Sequence, residues 1–516
     1  MRGLTLGLKW VEAGFDRVFS EAWNPWYQLG ALAMLCYWIV AVSGVYLFVF
    51  FDTSIIGAWD SVERITTGQW YLGGIMRSLH RYASDAMVVL VTVHLLREFA
   101  LGRFRGVRWF SWVSGVPLLW LLFAAGIGGY WLVWDRQAQF VAVTTSEWLS
   151  ALPAFGDGLP RNFLSNASLS DRFFSFLVFL HIALPLFLLG GVFVHIKRMK
   201  LARINPARGL IYGILAFFLV LSIAKPAVSM ARADLATTVS MVDMDWFYLN
   251  LYPLVESLGA MEVWGLVVAL TLLLVATPWI LPGKPALVRP AAAVVNPDNC
   301  NGCSWCFQDC PYDAITMIEH TYKPGLRQAI VNPDLCTACG ICEGSCPSAT
   351  PFRHVEELVS GIEVPDYPLN ELKQRTERLL GSLEGRENLV VFGCDHALDV
   401  EKLDEDRVVA VSLPCIGALP PSFTDFVARN PAVLGVVISG CHEGDCYYRK
   451  GSEWSRQRME GKRMPHLRTS VGRHKVTMYT AGTFEKVRLL ERLDSFRTSL
   501  LAEAREEDGT RRGSAS

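Results

Sequence analysis

Apolar positions are unevenly distributed along the chain, in long uninterrupted runs up to about residue 282 and in short runs of strand length after it. A membrane-spanning helix needs roughly 20 apolar residues to cross about 30 Å of hydrocarbon. Six runs meet this length and predict helices over residues 28–50, 77–99, 112–134, 173–196, 209–228 and 262–281. The pattern predicts a multidomain chain, with an all-α transmembrane bundle of six spans followed by soluble domains.

Composition and charge agree with a membrane protein that has a soluble half. Of 516 residues, 52% are hydrophobic, and the formal net charge of −1 does not favour nucleic-acid binding. Basic residues are concentrated in the loops after the second and fourth predicted spans. They are Arg97, Arg103, Arg105 and Arg108 in the first loop, and Lys197, Arg198, Lys200, Arg203 and Arg208 in the second. By the positive-inside rule, both termini and the soluble half are expected in the cytoplasm of a bacterium, with the chain crossing the inner membrane several times.

Two predicted spans carry paired histidines, which are costly in a bilayer and usually functional there. His94 follows His80 in the second span, and His195 follows His181 in the fourth, both at the spacing i, i+14. In a helix, 14 residues correspond to about 3.9 turns and to about 21 Å along the axis. The two histidines of each pair therefore lie on nearly the same face of their helix. Two such helices side by side predict two stacked bis-histidine sites, which suit two b-type haems. For any single histidine, a hydrogen bond to a neighbouring helix is the simpler alternative.

Glycines repeat the same interval on the first and third predicted spans. Gly44 follows Gly30, and Gly129 follows Gly115, again at the spacing i, i+14. We expect each glycine to leave room for a haem ring against the backbone, although glycine is also common in membrane helices.

Cysteines are concentrated after the last predicted span, where 12 of the 13 lie. Because a reducing cytoplasm disfavours disulfides, these cysteines are predicted to bind metal. Two copies of the C-x2-C-x2-C-x3-C-P pattern predict two [4Fe-4S] clusters, in which the fourth cysteine of each copy binds the other cluster. The predicted ligands are Cys300, Cys303, Cys306 and Cys346 for one cluster, and Cys310, Cys336, Cys339 and Cys342 for the other. Zinc at the C-x2-C pairs is the less favoured alternative.

Residues 386–500 alternate apolar strands with more polar stretches, which predicts a small α/β domain. Three of the strands, "NLVVFGC", "VVAVSLPC" and "VLGVVISGC", end in a cysteine. Four thiols result, enough for one further cluster: Cys394, Cys415, Cys441 and Cys446. We expect His396 and His442 to donate hydrogen bonds beside an all-cysteine cluster rather than to bind iron as in a Rieske centre.

The segment from about residue 20 to 200 resembles the haem-binding half of cytochrome b from quinol-oxidising bc and bf complexes, through "RSLHR", "WVSGV" and "GGYWLVWD". The resemblance implies an outer haem bound by His80 and His181, with Arg77 facing a haem propionate. It also implies an inner haem bound by His94 and His195. Membrane quinone as substrate, and a dimer as in bc complexes, are further expectations from it.

The stretch "MVDMDWFYLNLYPLVESL" resembles the outer quinol-site loop of the same family, whose motif is Pro-Glu-Trp-Tyr. In this chain the motif reads Met244, Asp245, Trp246 and Phe247. Asp245 keeps a carboxylate that is one methylene shorter, and the resemblance makes it a quinone-site residue. A solvated loop residue is the alternative.

Cys36 is the only cysteine of the membrane half. Aligned without gaps through "NPWYQLGALAMLCYWIVAVSG", it falls where the bf-type cytochrome b holds an extra haem by one thioether. A third, c-type haem at Cys36 is therefore one hypothesis, and an ordinary buried apolar residue is the other.

"SGCHEGDCYYRKG" together with "LPCIG" resembles the delta subunit of methyl-viologen-reducing hydrogenase. That resemblance implies a [2Fe-2S] cluster and an FAD-containing partner of the heterodisulfide-reductase or glutamate-synthase type. Ala397 stands where the family usually has a second cysteine, so four ligands remain. The chain has no Gly-rich dinucleotide fingerprint, so flavin chemistry is expected from the partner.

These observations predict six segments. They are a cytochrome b-like four-helix dihaem domain (1–205), two further transmembrane helices with the altered quinol-site loop (206–290), a 2[4Fe-4S] ferredoxin domain (291–355), a linker (356–385), a [2Fe-2S] domain (386–500) and a disordered tail (501–516). The expected function is electron transfer between the flavoprotein and the quinone pool, as a subunit of a quinone oxidoreductase. The alternatives are a bc-like, proton-translocating cytochrome with an external high-potential acceptor, reverse flow from quinol to a low-potential acceptor, and a passive membrane anchor.

Overall fold

The computed structural model describes residues 2–513 apart from 159, 164–168, 198–201, 240–241, 244, 282–289, 353–356, 386, 404 and 469–472. The chain forms two compact units. The first comprises residues 1–197 and 203–287, and the second comprises residues 288–516 together with 198–202. The boundary near residue 288 falls where the long apolar runs of the sequence end.

Long helices dominate the described part of the first unit, as its uninterrupted apolar runs predict. The helices are α1 (Arg2–Trp23), α2 (Leu29–Phe50), α3 (Ile55–Glu63), α4 (Ile75–Ala100), α5 (Trp109–Val133), α6 (Arg136–Ser150), α7 (Asp171–Ile196), α8 (Arg208–Ala224), α9 (Tyr252–Leu258) and α10 (Ala260–Ile280). Helix α2 packs along α4, and α5 packs along α7. Their facing apolar side chains form one buried core.

Polar caps fix the start of two of these helices. The Ser170 hydroxyl accepts a hydrogen bond from the Phe173 amide at the start of α7. The Asp135 carboxylate accepts one from the Ala138 amide at the start of α6. Each cap satisfies a backbone donor that the helix itself leaves without an acceptor.

Four stretches of the described residues are long and apolar enough to cross a membrane: Pro25–Phe50, Gly106–Val133, Asp171–Ile196 and Ala260–Ile280. They correspond to the first, third, fourth and sixth predicted spans. Helix α4 reaches the predicted length but is more polar, since it carries two histidines and several charged residues. Helix α8 has 17 residues and ends at Ala224, earlier than predicted, because the residue before Pro226 is biased away from the helical conformation. Length and composition thus support four membrane helices of the six predicted.

The described part of the second unit begins with short elements around the two C-x2-C-x2-C-x3-C motifs. They are β1 (Val294–Val295), α11 (Trp305–Gln308), β2 (Ile315–Glu319), β3 (Arg327–Val331), α12 (Ile341–Gly344) and β4 (Ile362–Glu363). Strands β2 and β3 pair antiparallel, and so do β1 and β4. The two short helices lie at equivalent places in the two motifs, so the fold repeats as the sequence does.

An α/β fold follows in the second unit. Its elements are α13 (Leu369–Gly381), β5 (Asn388–Cys394), β6 (Val408–Leu413), α14 (Pro421–Ala428), β7 (Val433–Gly440), α15 (Gly451–Met459), β8 (Val476–Thr480) and α16 (Lys486–Gly513). The four strands are all parallel, in the order β6-β5-β7-β8. In such sheets ligands bind beyond the carboxyl ends of the strands, which is where Cys394, Cys415 and Cys441 lie.

Two segments are more ordered than the sequence suggested. The predicted linker contains β4, which pairs with β1, and α13, whose Leu369 and Leu380 are buried. Helix α16 continues into the segment predicted as a disordered tail, because Leu, Ala, Glu and Arg favour a helix even without apolar periodicity.

Candidate metal centres

The histidines predicted to bind the outer haem face each other between α4 and α7. The His80 and His181 ring centroids are 6.2 Å apart. This distance suits one metal ion between the rings, since each metal–imidazole bond is about 2 Å long. The His80 Nδ1 atom lies 3.0 Å from the Val40 carbonyl oxygen, and the His181 Nδ1 atom lies 3.0 Å from that of Ala125. Because a carbonyl only accepts, each Nδ1 donates its hydrogen, which leaves Nε2 as a metal ligand.

The second pair lies on the same two helices, at the i+14 position of each. The Nδ1 atom of His195 is 3.1 Å from the Ser114 hydroxyl oxygen. At about 1.5 Å per residue, this level is about 21 Å from the first. The structure therefore places His94 and His195 at a separate level of the bundle.

Each of the four predicted glycines packs against one of the four histidines. A Cβ built on the glycine would lie near the Cε1 atom of that histidine: Gly44 and His80 at 3.0 Å, Gly129 and His181 at 3.0 Å, Gly115 and His195 at 3.2 Å, and Gly30 and His94 at 3.8 Å. The sequence predicted that these glycines leave room for a haem ring. The structure adds that they leave room for the imidazoles, which explains why glycines and histidines share the i, i+14 spacing.

Arg77, predicted to face a haem propionate, has protein partners in the structure. Its Nη1 atom donates to the Thr66 hydroxyl at 2.5 Å and its Nη2 atom donates to the Ser229 hydroxyl at 2.9 Å. Glu63 forms an ion pair with it at 3.6 Å. Arg77 lies one helical turn before His80 on α4, so its charge stays near the outer pair.

Asp245, the predicted quinone-site residue, is buried rather than solvated, with 6% of its surface exposed. One carboxylate oxygen forms an ion pair with Arg81 of α4. The other accepts hydrogen bonds from the Phe247 amide at 2.6 Å and the Tyr248 amide at 3.2 Å. By contrast, 73% of Trp246 is exposed, and Met244 lies outside the described residues.

The residues around Asp245 form a polar cluster that sequence reasoning missed. Arg81 also pairs with Asp85 at 3.1 Å and lies 4.5 Å from the Tyr130 ring centroid. The Tyr248 hydroxyl is 2.7 Å from that of Ser84. Ionisable residues inside a predicted membrane helix are themselves a functional signal, so Arg81 and Asp85 could have been singled out from the sequence.

Cys36 is buried among the apolar side chains of the bundle, with 1% of its surface exposed. This environment is that of a packing residue. The hypothesis of a third haem at Cys36 stays a prediction.

The eight cysteines of the repeated motif meet in two groups. One cavity of about 340 Å³ is lined by Cys310, Cys336, Cys339 and Cys342. A second cavity of about 320 Å³ is lined by Cys300, Cys303, Cys306 and Cys346. We call the group with Cys300 the first quartet and the group with Cys310 the second quartet. The structure thus brings together the two crossed sets that the spacing predicts.

The surroundings of these thiols suit metal binding. Burial raises the pKa of Cys306 to about 12 and that of Cys339 to about 12, so neither loses its proton at neutral pH unless a metal replaces it. The Ala314 amide lies 3.3 Å from the Cys310 sulfur, and the Ala293 amide lies 3.4 Å from that of Cys336. Amide donors of this kind stabilise the negative charge of ligated sulfur.

The remaining four cysteines meet at the carboxyl end of the parallel sheet. We call them the third quartet: Cys394, Cys415, Cys441 and Cys446. The Cys394 and Cys441 sulfurs are 3.7 Å apart, and Cys394 and Cys415 also interact, as do Cys441 and Cys446. A Cβ at Gly451 would lie 2.2 Å from the Cys415 sulfur and 3.7 Å from that of Cys446. The absence of a side chain at Gly451 therefore keeps this site open.

The two histidines predicted beside this quartet have different partners. The His396 ring stacks on Tyr447, with centroids 3.7 Å apart. The His442 Nε2 atom is 2.7 Å from a carboxylate oxygen of Glu485. Burial raises the pKa of Glu485, but the hydrogen bond from His442 outweighs burial and helps to lower this pKa to about 2. Their role as donors to a cluster stays a prediction.

Comparison with known families agrees with this division. Residues 15–202 match the family model of cytochrome b/b6/petB. Residues 299–350 match that of the 4Fe-4S dicluster domain, and residues 393–502 match that of the methyl-viologen-reducing hydrogenase delta subunit. The first family implies haem b, and the second implies iron–sulfur clusters.

Individual relatives cover the first segment. Cytochrome b6 of Heliobacterium modesticaldum is 28% identical over 187 residues, which are 36% of this chain and 87% of that one. Cytochrome b6 of Synechococcus sp. (strain JA-3-3Ab) is 32% identical over 136 residues, 26% of this chain and 63% of that one. Cytochrome b of Rhodospirillum rubrum is 28% identical over 191 residues, 36% of this chain and 46% of that one. Among solved structures, a hyperthermophilic respiratory Complex III matches with a TM-score of 0.41 and 20% identity, over 51% of this chain and 78% of that chain.

The matches and the four apolar helices support an integral membrane protein that takes part in electron transfer. In particular, the chain joins segments that match the models of cytochrome b/b6, of the 4Fe-4S dicluster domain and of the hydrogenase delta subunit, in that order.

Proposed function

We propose that the chain is the membrane subunit of a quinone oxidoreductase, and that it conducts electrons between a cytoplasmic flavoprotein and the membrane quinone pool. The observation that carries this proposal is the presence, in one polypeptide, of three cysteine quartets and of two histidine levels in a helical bundle. A passive anchor would need neither the facing imidazoles nor the glycines that make room for them.

The residues present fit the groups that the families imply. His80 with His181, and His94 with His195, would each hold one haem b. The first and second quartets would each hold a [4Fe-4S] cluster. The third supplies four thiols, enough for one cluster, and would hold the [2Fe-2S] cluster that the resemblance to the delta subunit implies. Each of these groups transfers one electron at a time.

Quinone chemistry needs residues that handle protons. We assign this role on the outer side to Asp245, because its buried carboxylate lies beside Arg81 and Tyr248 and next to the exposed Trp246. The ion pair with Arg81 and the two amide hydrogen bonds hold the carboxylate in place.

The flavin of the partner must accept two electrons from its donor and pass them on one at a time to the clusters. A flavoprotein of the heterodisulfide-reductase or glutamate-synthase type suits the delta-type domain, because the chain has no dinucleotide-binding fingerprint of its own. We place the partner, the third quartet and the other two quartets in the cytoplasm of a bacterium, on the side of the membrane that the basic loops define.

Purification of the assembled complex from membranes tests this proposal. We expect two b-type haems per chain, iron and acid-labile sulfide in the second unit, and a co-purifying FAD protein. With the flavin's own electron donor present, the b haems should become reduced, and a soluble quinone should reoxidise them. Haem reduction by added quinol alone, followed by electron flow to the flavin, would support the reverse direction. If the haems are neither reoxidised by the added quinone nor reduced by the added quinol, quinone-linked function would be refuted.

A further inference from the structure

A fully buried arginine lies where the dicluster and delta-type parts of the second unit meet. Arg458, on α15, has no exposed surface. Its Nη2 atom donates to an Asp309 carboxylate oxygen at 2.5 Å and to the Ser345 hydroxyl at 2.5 Å. Its Nη1 atom donates to the Gly417 carbonyl oxygen at 3.1 Å. One guanidinium group therefore joins three separate loops.

Each of these loops carries a cysteine of a different quartet. Asp309 directly precedes Cys310 of the second quartet, and Ser345 directly precedes Cys346 of the first. Gly417 follows Cys415 of the third quartet by two positions. Arg458 is thus bonded next to one ligand position of every quartet.

The loops of the second and third quartets also touch through their backbones. A Cβ built on Gly344 would lie 2.0 Å from the Gly417 carbonyl oxygen, and one built on Gly340 would lie 2.6 Å from the Ala418 Cβ. Gly340 directly precedes α12 and Gly344 is its last residue, and α12 carries Cys342. Because glycine has no side chain, the two loops can approach this closely.

Apolar packing links the same two quartets. Cys415 belongs to one buried cluster with Cys339 and Cys342, and the same cluster contains Trp454 and Cys306 of the first quartet. Tyr448 packs against this cluster. The third quartet therefore adjoins the second quartet directly.

The charge at this junction is positive. Asp309 pairs with Arg458 and also with Arg463, whose Nε atom is 3.0 Å from the other carboxylate oxygen. Two cations and one anion leave a net charge of about +1 beside the quartets, where Arg458 and Asp309 are buried and Arg463 is partly exposed. Coulomb interactions between buried charges are strong. Such a charge favours the reduced, more negative state of a nearby cluster.

We propose that Arg458 is the positioning residue of a three-cluster relay, in which the second quartet stands between the third and the first, and that its charge raises their reduction potentials. The proposal rests on the proposed function for the identity of the clusters. The cluster held by the third quartet would pass one electron to that of the second quartet, and the second would pass it to that of the first. In each of the two steps the donor cluster would be oxidised by one electron and the acceptor cluster reduced by one. No bond or proton is exchanged, and the reductant is the flavin of the partner.

The test uses the full chain with its clusters in place and the variant Arg458→Met, which keeps the side-chain bulk and removes the charge. Lys462→Met is the control, because Lys462 carries the same charge just beyond α15 but is exposed and pairs with Glu460. Potentiometric titration followed by EPR measures the midpoint potentials and the magnetic coupling between reduced clusters. We expect lower midpoint potentials and weaker coupling in Arg458→Met, and wild-type values in Lys462→Met.

A third variant, Arg458→Lys, separates charge from geometry. It keeps the cation but loses the planar fork that reaches three acceptors, so potentials near those of the wild type and weakened coupling are expected. Unchanged potentials and coupling in Arg458→Met, with full iron content, would overturn the proposal. If Arg458→Met loses iron, wild-type coupling in Arg458→Lys would overturn it and weakened coupling would support it. A wild-type chain that binds no clusters would instead refute the proposed function.

Discussion

Substitution of Gly44 by alanine should weaken haem binding at the outer histidine pair, whereas the same substitution at Gly30 should leave the inner pair intact. The added Cβ would lie 3.0 Å from the His80 Cε1 atom at the first position, and 3.8 Å from the His94 Cε1 atom at the second. Both glycines lie within or at the start of α2, so the gain in helix propensity is similar for the two variants. Gly30→Ala is therefore a matched control.

The expected magnitude follows from the contact distance. Carbon atoms pack at about 3.5–4.0 Å, so the His80 ring or α2 must move by roughly half an ångström to admit the new methyl group. Overpacking of this kind costs about 1–3 kcal/mol. If the whole cost falls on the haem-bound state, the haem dissociation constant rises about 5- to 140-fold, at about 1.4 kcal/mol per factor of ten.

Haem titration of the purified chain measures this change, and EPR of the low-spin haems reports the ligand geometry of each level. We expect a weaker and shifted outer signal in Gly44→Ala and a wild-type spectrum in Gly30→Ala. Wild-type affinity and spectra for Gly44→Ala, or a larger loss in Gly30→Ala, would show that this contact does not position the ligand.

Three further outcomes follow from the sites, and a fourth from the polar cluster. Replacing His94 with leucine should abolish one b-type absorbance component and keep the other, because the two levels are separate; loss of neither would refute the ligand assignment. The assembled chain should hold about ten iron atoms in its clusters, from two [4Fe-4S] and one [2Fe-2S], and a chelatable zinc content in their place would contradict this. If Cys36 carries a covalent haem, a denaturing gel stained for haem peroxidase activity should show a stained band for the wild-type chain and none for Cys36→Ser. The absence of staining in the wild-type chain from the assembled complex would rule this haem out. Asp245→Asn should slow electron exchange with quinone without changing the haem spectra, since an amide cannot take up a proton as the buried carboxyl group can, while Asp243→Asn at an exposed neighbouring position should match the wild type.

Sequence reasoning anticipated which residues lie together where their grouping follows a short-range rule. Cysteine spacing defines a ferredoxin motif within one short run, such as 300–310, and an i, i+14 spacing keeps two histidines on one helix face. The structure groups the cysteines of both motifs as that spacing predicts, and brings His80 and His181 face to face. Local chemistry determines these features, so they can be read from one sequence.

What the sequence could not supply is pairing between distant residues. Arg81 and Asp245 are 164 positions apart, and Arg458 and Asp309 are 149 apart. No periodicity links such residues, because their contact depends on how whole elements pack. The same holds for β1, which pairs with β4 inside a segment predicted as a linker.

The crossed arrangement of the first and second quartets also constrains biosynthesis. The first quartet lacks its last member until Cys346, in the later motif, has been synthesised, and the second needs Cys310 from the earlier motif. At a translation rate of about 5–20 residues per second, several seconds pass in which the nascent chain carries three thiols of the first quartet and one of the second, and neither set of four is complete. If the quartets hold the proposed clusters, neither cluster has its four ligands until both motifs have left the ribosome. This favours insertion of both clusters into a folded pair of motifs over insertion of one after the other during translation.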